Sequence, residues 1–345
     1  MDVIWLADEG SPHTQRWLAA VQKQGVNVSV FSIRKRRPRI LYLIDWVVIY
    51  LRLRQRKACI VHAHFVSSYG VISSFLSSRF LKIVSIWGSD ILLTPHKNRI
   101  YFAVIKRALE KADIRIANSA YLAEAAKNVA DQPYLTIPFG LDIEQFPFHL
   151  KKYVRLDKKP FSITIVKRLH HVAGVDLLIK AFSEVIALAS MQDLDLRLNI
   201  VGAGEEEAAL RTLSDKLGLA SSIVWHGWLS SSQVMKVYES THLAVYPSRV
   251  EGLGVSVLES MACGTPVLAT RQGGIVELIG ENEERGCLVH QGKSALVESI
   301  AQSILNYDEL VEKTKLARLF IEQKYDISKN AAELVEVYTR LAQKR

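Results

Sequence analysis

Short apolar runs alternate with helical patterns from the first residues onward. Residues 2–6 (DVIWL) predict a strand, and the polar loop ADEGSPHT leads into a helix over 14–24 that Gly25 closes. Further strands are expected over 26–32, 58–65, 81–87, 113–119 and 133–140, with helical patterns over 70–80, 100–112 and 121–130 between them. The rhythm restarts at Phe161, with strands over 161–169, 196–204, 222–228, 242–248 and 265–270. Helices are expected there over 175–190, 205–218, 231–241 and 255–262. Strands alternating with helices imply parallel β-α-β units, so the chain reads as two similar open α/β domains. The Pro- and Lys-rich stretch FPFHLKKYVRLDKKP predicts the linker, with domains over 1–150 and 151–328 and a last helix from Lys329 to Leu341. Sheets of this kind bind ligands beyond the carboxyl ends of their strands, which makes the cleft between the domains the expected site.

The 345 residues fit two domains at roughly 150 residues each. A chain 49% hydrophobic and 23% charged, with mean hydropathy +0.11, is not disordered. Cys59, Cys263 and Cys287 are scattered and lack ligand spacing, which excludes a disulfide scaffold and a zinc module. His62 and His64 share one strand face, but two imidazoles need further ligands to hold a metal, and none is expected.

Charge changes the picture. Residues 1–160 carry 25 Lys/Arg against 12 Asp/Glu, and Arg34–Lys57 alone holds nine bases and one acid. The apolar run inside that segment, Ile40–Leu51, is too short for a spanning helix, which needs about twenty residues. The start, MDVIWLADEG, has neither the basic flank nor the apolar length of a secretory leader. Trp46 and Tyr50 lie one helical turn apart between the basic clusters. This suits a helix lying in an anionic membrane interface, or a core helix between solvated charges. No motif for nucleic acid accompanies the bases.

The stretch YPSRVEGLGVSVLESMACGTPVLATRQGGIVELI (246–279) carries the most chemistry. The turn containing Gly252 and Gly254 feeds a helix beginning near Val255, whose free N–H groups attract anions such as a diphosphate. Gly273 and Gly274 form a second bare turn. Glu251 and Glu259 are separated by seven residues, and eight helical steps rise about 12 Å. That exceeds the roughly 5–9.5 Å between the carboxyl groups of a glycosidase and suits a grip on two ends of one long ligand.

This stretch resembles the donor-site signature of retaining glycosyltransferases of family 4. The resemblance continues through SPHTQRW, VHAHFVSSYG, SIWGSD, ADIRIANS, IPFGLDIEQF, KRLHHVAGVDLLIKAF and IVGAGEEEAALR, and so covers nearly the whole chain. It implies a GT-B fold, two Rossmann-like domains facing across a cleft, with 329–345 crossing back to the first domain. The first domain would bind the acceptor and the second a nucleotide-diphosphate sugar. The implied activity is transfer with retention to a glycan or lipid-linked acceptor, in cell-surface polysaccharide or glycolipid synthesis. No metal and no other cofactor is implied.

Residue by residue, the resemblance implies that Glu251 contacts hydroxyls of the donor sugar and Glu259 the ribose. Backbone around Gly252, Gly254 and Val255 would hold the phosphates, and Arg168 would stabilise the departing diphosphate. The family usually has Lys where this chain has Ala173, so Lys167, His170 or His171 would supply the second cation. It often has His at Trp87, which leaves Ser89 and Asp90 as the polar candidates, with Asp90 counted as catalytic. Gly202 and Gly227, beside His226, are further donor-side candidates. Gly10, His13, His64 and Asn118 lie at loop or strand ends on the acceptor side. The expected setting is cytoplasmic, peripheral at the inner membrane face. Two alternatives stay open: a nucleotide-sugar epimerase of the same fold, and a non-catalytic glycosyltransferase-like subunit.

Overall fold

The computed structural model describes residues 1–33, 42–56, 59–151 and 160–343. Parts of the basic segment (34–41 and 57) and of the expected linker (152–159) therefore lie outside the described residues.

The chain forms two compact units, Met1–Gly140 with Tyr325–Arg345, and Leu141–Lys324. The first boundary thus falls ten residues before the expected position, and the return falls at Tyr325 rather than 329. Gly140 explains both: a Cβ there would lie 2.8 Å from the Ile327 backbone and from the Tyr325 carbonyl. The outgoing and returning segments pack directly on one another, and only glycine allows that approach at φ +70°.

The first unit holds β1 (Asp2–Leu6), β2 (Asn27–Phe31), β3 (Ile60–His64), β4 (Leu81–Ile86), β5 (Ile114–Ala117) and β6 (Leu135–Thr136). They form one parallel sheet in the order β2-β1-β3-β4-β5-β6. Strands β1, β3 and β4 are buried almost throughout, as parallel strands covered on both faces must be. The C-terminal helix Ile327–Gln343 covers one face, setting Leu334, Tyr338 and Leu341 against Val3, Trp5 and Trp17.

The second unit holds β7 (Phe161–Val166), β8 (Leu196–Val201), β9 (Ile223–Gly227), β10 (Leu243–Tyr246), β11 (Val267–Thr270) and β12 (Cys287–Val289). Their order is β12-β11-β10-β7-β8-β9, again parallel. Each sheet reverses its order once, between β1 and β3 in the first and between β7 and β10 in the second. Such reversals open a crevice at the carboxyl ends.

Two expectations change. The helix anticipated over 70–80 is a π-helical turn, Val66–Gly70, followed by the short helix Val71–Ser73. Helices Lys293–Leu305 and Tyr307–Lys324 and strand β12 lie between residue 270 and the last helix, where the pattern predicted no element. Within the basic segment, the helix Tyr42–Arg54 buries Ile49 and Leu53 while Ile44, Val47 and Leu51 stay about half exposed. No helix among the described residues is long and apolar enough to cross a membrane.

Candidate active site

In the second unit the site grows from the reversal between β7 and β10. Lys167 follows β7, and Glu251 follows β10 by five positions. Their side chains form an ion pair, each largely withdrawn from solvent. The loop bearing Glu251 is anchored two residues earlier. Arg249 makes a two-pronged bond to Asp176 at 2.8 and 2.9 Å and donates to the His171 carbonyl at 2.6 Å. The Gln272 and Gln291 amides each donate to the Arg249 carbonyl at 3.0 Å. Burial raises the Asp176 pKa, but the Arg249 fork and Lys180 outweigh it and hold the carboxyl below its ordinary value.

The turn Gly252–Gly254 leads into the helix Val255–Ala262, whose N-terminus receives no side-chain cap. A Cβ on Gly274 would stand 2.3 Å from the Gly252 carbonyl oxygen, so the two glycine turns touch backbone to backbone. Below the helix the Tyr238 and Tyr246 hydroxyls, 2.9 Å apart, both reach the Ser256 carbonyl. At its far end Arg318 donates to the Ala262 carbonyl at 2.8 Å. A helix held at both ends presents its first-turn N–H groups and its positive dipole end as a rigid anion seat. Glu259 sits half-buried on the same helix.

Gly202 and Gly227 meet at the ends of β8 and β9, where the Gly202 N–H donates to the Gly227 carbonyl at 2.8 Å. His226 is 2.9 Å from Asn199 Oδ1, and partial burial lowers its pKa. Arg168 is exposed and lies 3.5 Å from Glu205, which His170 also approaches at 3.2 Å. Ala173 is buried at the end of the short 3-10 helix His171–Ala173.

In the first unit the carboxyl ends of β1, β3 and β4 surround a cavity of about 450 Å³ lined by His13, Thr14, His64, Phe65, Tyr69 and Trp87, among others. Phe65 holds φ 78° and ψ 96°, a conformation that non-glycine residues rarely keep outside functional sites. Asp90 secures it. Its carboxylate, wholly buried, accepts the N–H groups of Val66 and Gly88 at 2.8 Å and of Trp87 at 3.1 Å. Burial pushes its pKa up to about 6 against the pull of those bonds. Asp90 was expected among the catalytic groups; the structure encloses it fully, and its hydrogen bonds tie together the two segments that carry Phe65 and Trp87.

Gly10 lies in the exposed turn after β1, and its N–H donates to Asp8 at 3.3 Å. Ser89 is exposed at the start of a short helix. Asn118 is buried at the end of β5, with its amide nitrogen lacking a partner. The flanking Ser119 caps the helix Ala120–Lys127. Sequence reasoning missed Tyr338. Trp5 Nε1 donates to its hydroxyl at 3.0 Å, and the hydroxyl lies 2.6 Å from His62 Nδ1. An indole only donates, so the Tyr338 oxygen accepts from Trp5 and shares a second hydrogen bond with Nδ1, while His62 Nε2 shares one with the Ser85 hydroxyl at 2.7 Å. Both neighbours of His62 along this chain of bonds come from distant sequence, and no local signal reports them. No cluster of three or more His, Cys, Asp or Glu side chains suited to a metal occurs among the described residues.

Two parallel sheets, each reversing its strand order once, define a two-unit α/β protein of the kind that gathers ligands at strand carboxyl ends. The comparisons narrow the class: residues 148–326 match the family "Glycosyl transferases group 1" and residues 2–119 match "Glycosyl transferase 4-like", and the chain belongs to the group 1 glycosyltransferases. It is 27% identical over 286 residues to a putative teichuronic acid biosynthesis glycosyltransferase, TuaC, of Bacillus subtilis, covering 81% of this chain and 70% of that one. It is 27% identical over 296 residues to a D-inositol 3-phosphate glycosyltransferase of an Arthrobacter species, covering 77% and 67%. The fold matches sucrose-phosphate synthase of Thermosynechococcus elongatus with TM-score 0.85 at 18% identity, over all of both chains. It matches Anabaena HepE in complex with UDP and glucose with TM-score 0.79 at 19% identity, over 99% and 100%. The protein is a GT-B-type glycosyltransferase.

Proposed function

We propose that the protein transfers a sugar, with retention, from a nucleotide-diphosphate donor to a glycan or lipid-linked acceptor of the cell surface. The observation that carries this reading is the Lys167–Glu251 pair at the β7/β10 reversal, next to the uncapped helix Val255–Ala262. The donor diphosphate sits on the helix N-terminus, with Glu251 on the sugar hydroxyls and Glu259 on the ribose. Arg168 and the helix dipole stabilise charge on the departing diphosphate in place of a metal. Gly202 and Gly227 edge the pocket for the base. UDP in several fold neighbours and the name of the TuaC relative support the donor class and the polysaccharide setting.

The acceptor binds the first unit, on the side of Gly10, His13, His64, Ser89 and Asn118. The half-exposed Ile44, Val47 and Leu51, followed by Arg52, Arg54 and Arg56, support a peripheral seat on an anionic membrane, at its cytoplasmic face.

A thermal-shift panel of UDP, GDP, ADP and CMP with their sugar conjugates, with and without EDTA, tests the donor reading. A ligand at 100 times its Kd stabilises by about 2.7 kcal/mol. One nucleotide class should shift the melt, and EDTA should change nothing. A panel without a shift overturns the reading, and a shift abolished by EDTA overturns its metal-free form.

A further inference from the structure

Helix Arg99–Glu110 of the first unit opens with an apolar turn left to solvent. Ile100 is 75% exposed, Tyr101 43% and Phe102 36%, and Ala103 is exposed as well. Tyr101 lies on the same helical face as Ile105 and Ala108, four and seven residues on, yet those two are fully buried. The later turns of the helix therefore seat on the core, while the first projects past it. Successive residues point about 100° apart around the axis. Ile100, Tyr101 and Phe102 thus present apolar surface on nearly every side of the tip, and exposed patches of this kind mark contact sites.

The topology gives the tip a direction. The helix joins β4 to β5, which run parallel, so it returns against them and begins at the carboxyl edge of the sheet. Helix Tyr42–Arg54 makes the same return between β2 and β3, both parallel to β1. The two helices set Ile49, Leu53, Ile105 and Leu109 into one core cluster. The half-exposed Phe75 links their outer surfaces: the Trp46 ring and the Arg107 guanidinium each lie 5.0 Å from its ring centre.

Charge narrows the partner. Residues 95–111 carry Lys97, Arg99, Lys106, Arg107 and Lys111 against Glu110, all exposed. The surface calls for something apolar beneath an anionic layer. An anionic bilayer has that profile, since its interface takes aromatic and aliphatic side chains and its headgroups attract bases. A protein groove instead takes a stripe of residues three and four apart along one helix face. Three consecutive apolar residues around one turn suit a fluid that closes on every side.

We propose that the first turn of helix Arg99–Glu110 inserts Ile100, Tyr101 and Phe102 into the interface of an anionic membrane, with Lys97, Arg99 and Arg107 on its headgroups. The carboxyl edge of the first sheet then faces the bilayer. The proposal rests on the peripheral membrane seat of the proposed function, and adds a second point of insertion and an orientation.

A fluorophore placed on the full chain tests it. Ile100→Cys carrying a nitrobenzoxadiazole label is mixed with vesicles of phosphatidylcholine alone, and of phosphatidylcholine with phosphatidylglycerol. The parent treated with the same label sets the background from the partly buried Cys59 and Cys287. Emission should rise and shift to the blue on the anionic vesicles. A label at Leu316→Cys, half-exposed in the second unit, should stay silent. Ile100→Ser with Phe102→Ser should weaken cosedimentation about tenfold or more, and Lys97→Gln with Arg99→Gln about fivefold per base. All four positions are exposed, so the urea midpoint should hold. Vesicle binding by the parent with a silent label at Ile100, or binding undiminished in the Ser variant, overturns the proposal and leaves the seat to helix Tyr42–Arg54. An equal response on both kinds of vesicle removes the headgroup contact and overturns it too. A blue shift that grows with protein concentration before vesicles are added gives the turn to a second copy of the chain, against the proposal. A parent that binds no vesicles overturns the membrane seat and this proposal together.

Discussion

Lys167 and Glu251, 84 positions apart in the chain, form an ion pair at the point where the second sheet reverses its strand order. Before a donor arrives, the cation neutralises the carboxylate. A diphosphate on the neighbouring helix N-terminus would compete for Lys167 and free Glu251 for sugar hydroxyls. Lys167→Met should therefore weaken nucleoside diphosphate binding by about ten- to a hundredfold, the range of one charged hydrogen bond. Binding of the bare nucleoside should not change. Titration calorimetry of both ligands reads the difference, and equal losses for the two would argue for a merely structural pair.

Arg168 offers the opposite combination, an exposed side chain with a functional expectation. Its contact with Glu205 at 3.5 Å is a surface pair, of a kind worth about 0–1 kcal/mol. Arg168→Ala should leave the denaturation midpoint nearly unchanged. If the guanidinium stabilises the leaving diphosphate, kcat should fall about a hundredfold or more, as when one preorganised donor is removed elsewhere. Steady-state kinetics beside a urea melt separates the two effects.

Much of the fold was legible because its strands are short apolar runs covered on both faces. The run over residues 2–6 is β1 to the residue, and the restart at Phe161 is β7. The glycine turn and the helix after it were legible for a different reason: Gly252, Gly254, Glu251 and Glu259 lie within one loop and one helix. What stayed hidden is non-local. Tyr338 meets Trp5 across 333 positions, and no periodicity reports such a contact. The helix expected over 70–80 begins earlier, as a π-helical turn whose first N–H, that of Val66, is held by Asp90 from the distant helix Ser89–Leu92. The surroundings of Asp90 were hidden as well, since composition shows a carboxyl and not the three N–H groups that occupy it.

Tyr338 joins the C-terminal helix to the histidines under the cavity. Tyr338→Phe leaves Trp5 Nε1 without its acceptor and His62 Nδ1 without its partner, both fully buried. Each stranded group costs about 1–3 kcal/mol. The variant should be destabilised by about 2–5 kcal/mol, and Tyr338→Leu no less. A denaturation midpoint close to that of the parent would mean that water replaces the hydroxyl.

The helix Tyr42–Arg54 exposes the apolar side chains that a membrane interface would take. Val47 and Leu51 are 53% and 49% exposed, so replacing both with Ser should leave the fold intact. Removing them, or the charges of Arg52, Arg54 and Arg56, should lower cosedimentation with anionic vesicles. Each lost base near the surface is worth about 1 kcal/mol, roughly fivefold. Binding that persists in both variants would remove the membrane role from this helix.

The buried imidazoles of the first unit set a pH dependence whose sign follows from their environment. Burial holds His64 neutral to about pH 3 and, with Arg16, His13 to about 4, and it lowers His62 as well. In the unfolded chain these rings titrate near 6.5. Below that pH the unfolded state binds protons that the folded state refuses, so stability falls as pH drops from 6.5 toward 4. Asp90 acts the other way: burial raises its pKa to about 6, so its contribution is present below 3.8 and lost as pH rises through 6. Three rings outweigh one carboxyl, because each fully shifted group changes the slope by at most about 1.4 kcal/mol per pH unit. The urea midpoint should therefore decline between pH 6.5 and 4.5. His64→Gln, which has no proton to refuse, should decline less steeply over the same interval. Parallel curves for the two proteins would show that His64 takes up a proton in the folded state, and the cavity would then be cationic in acid.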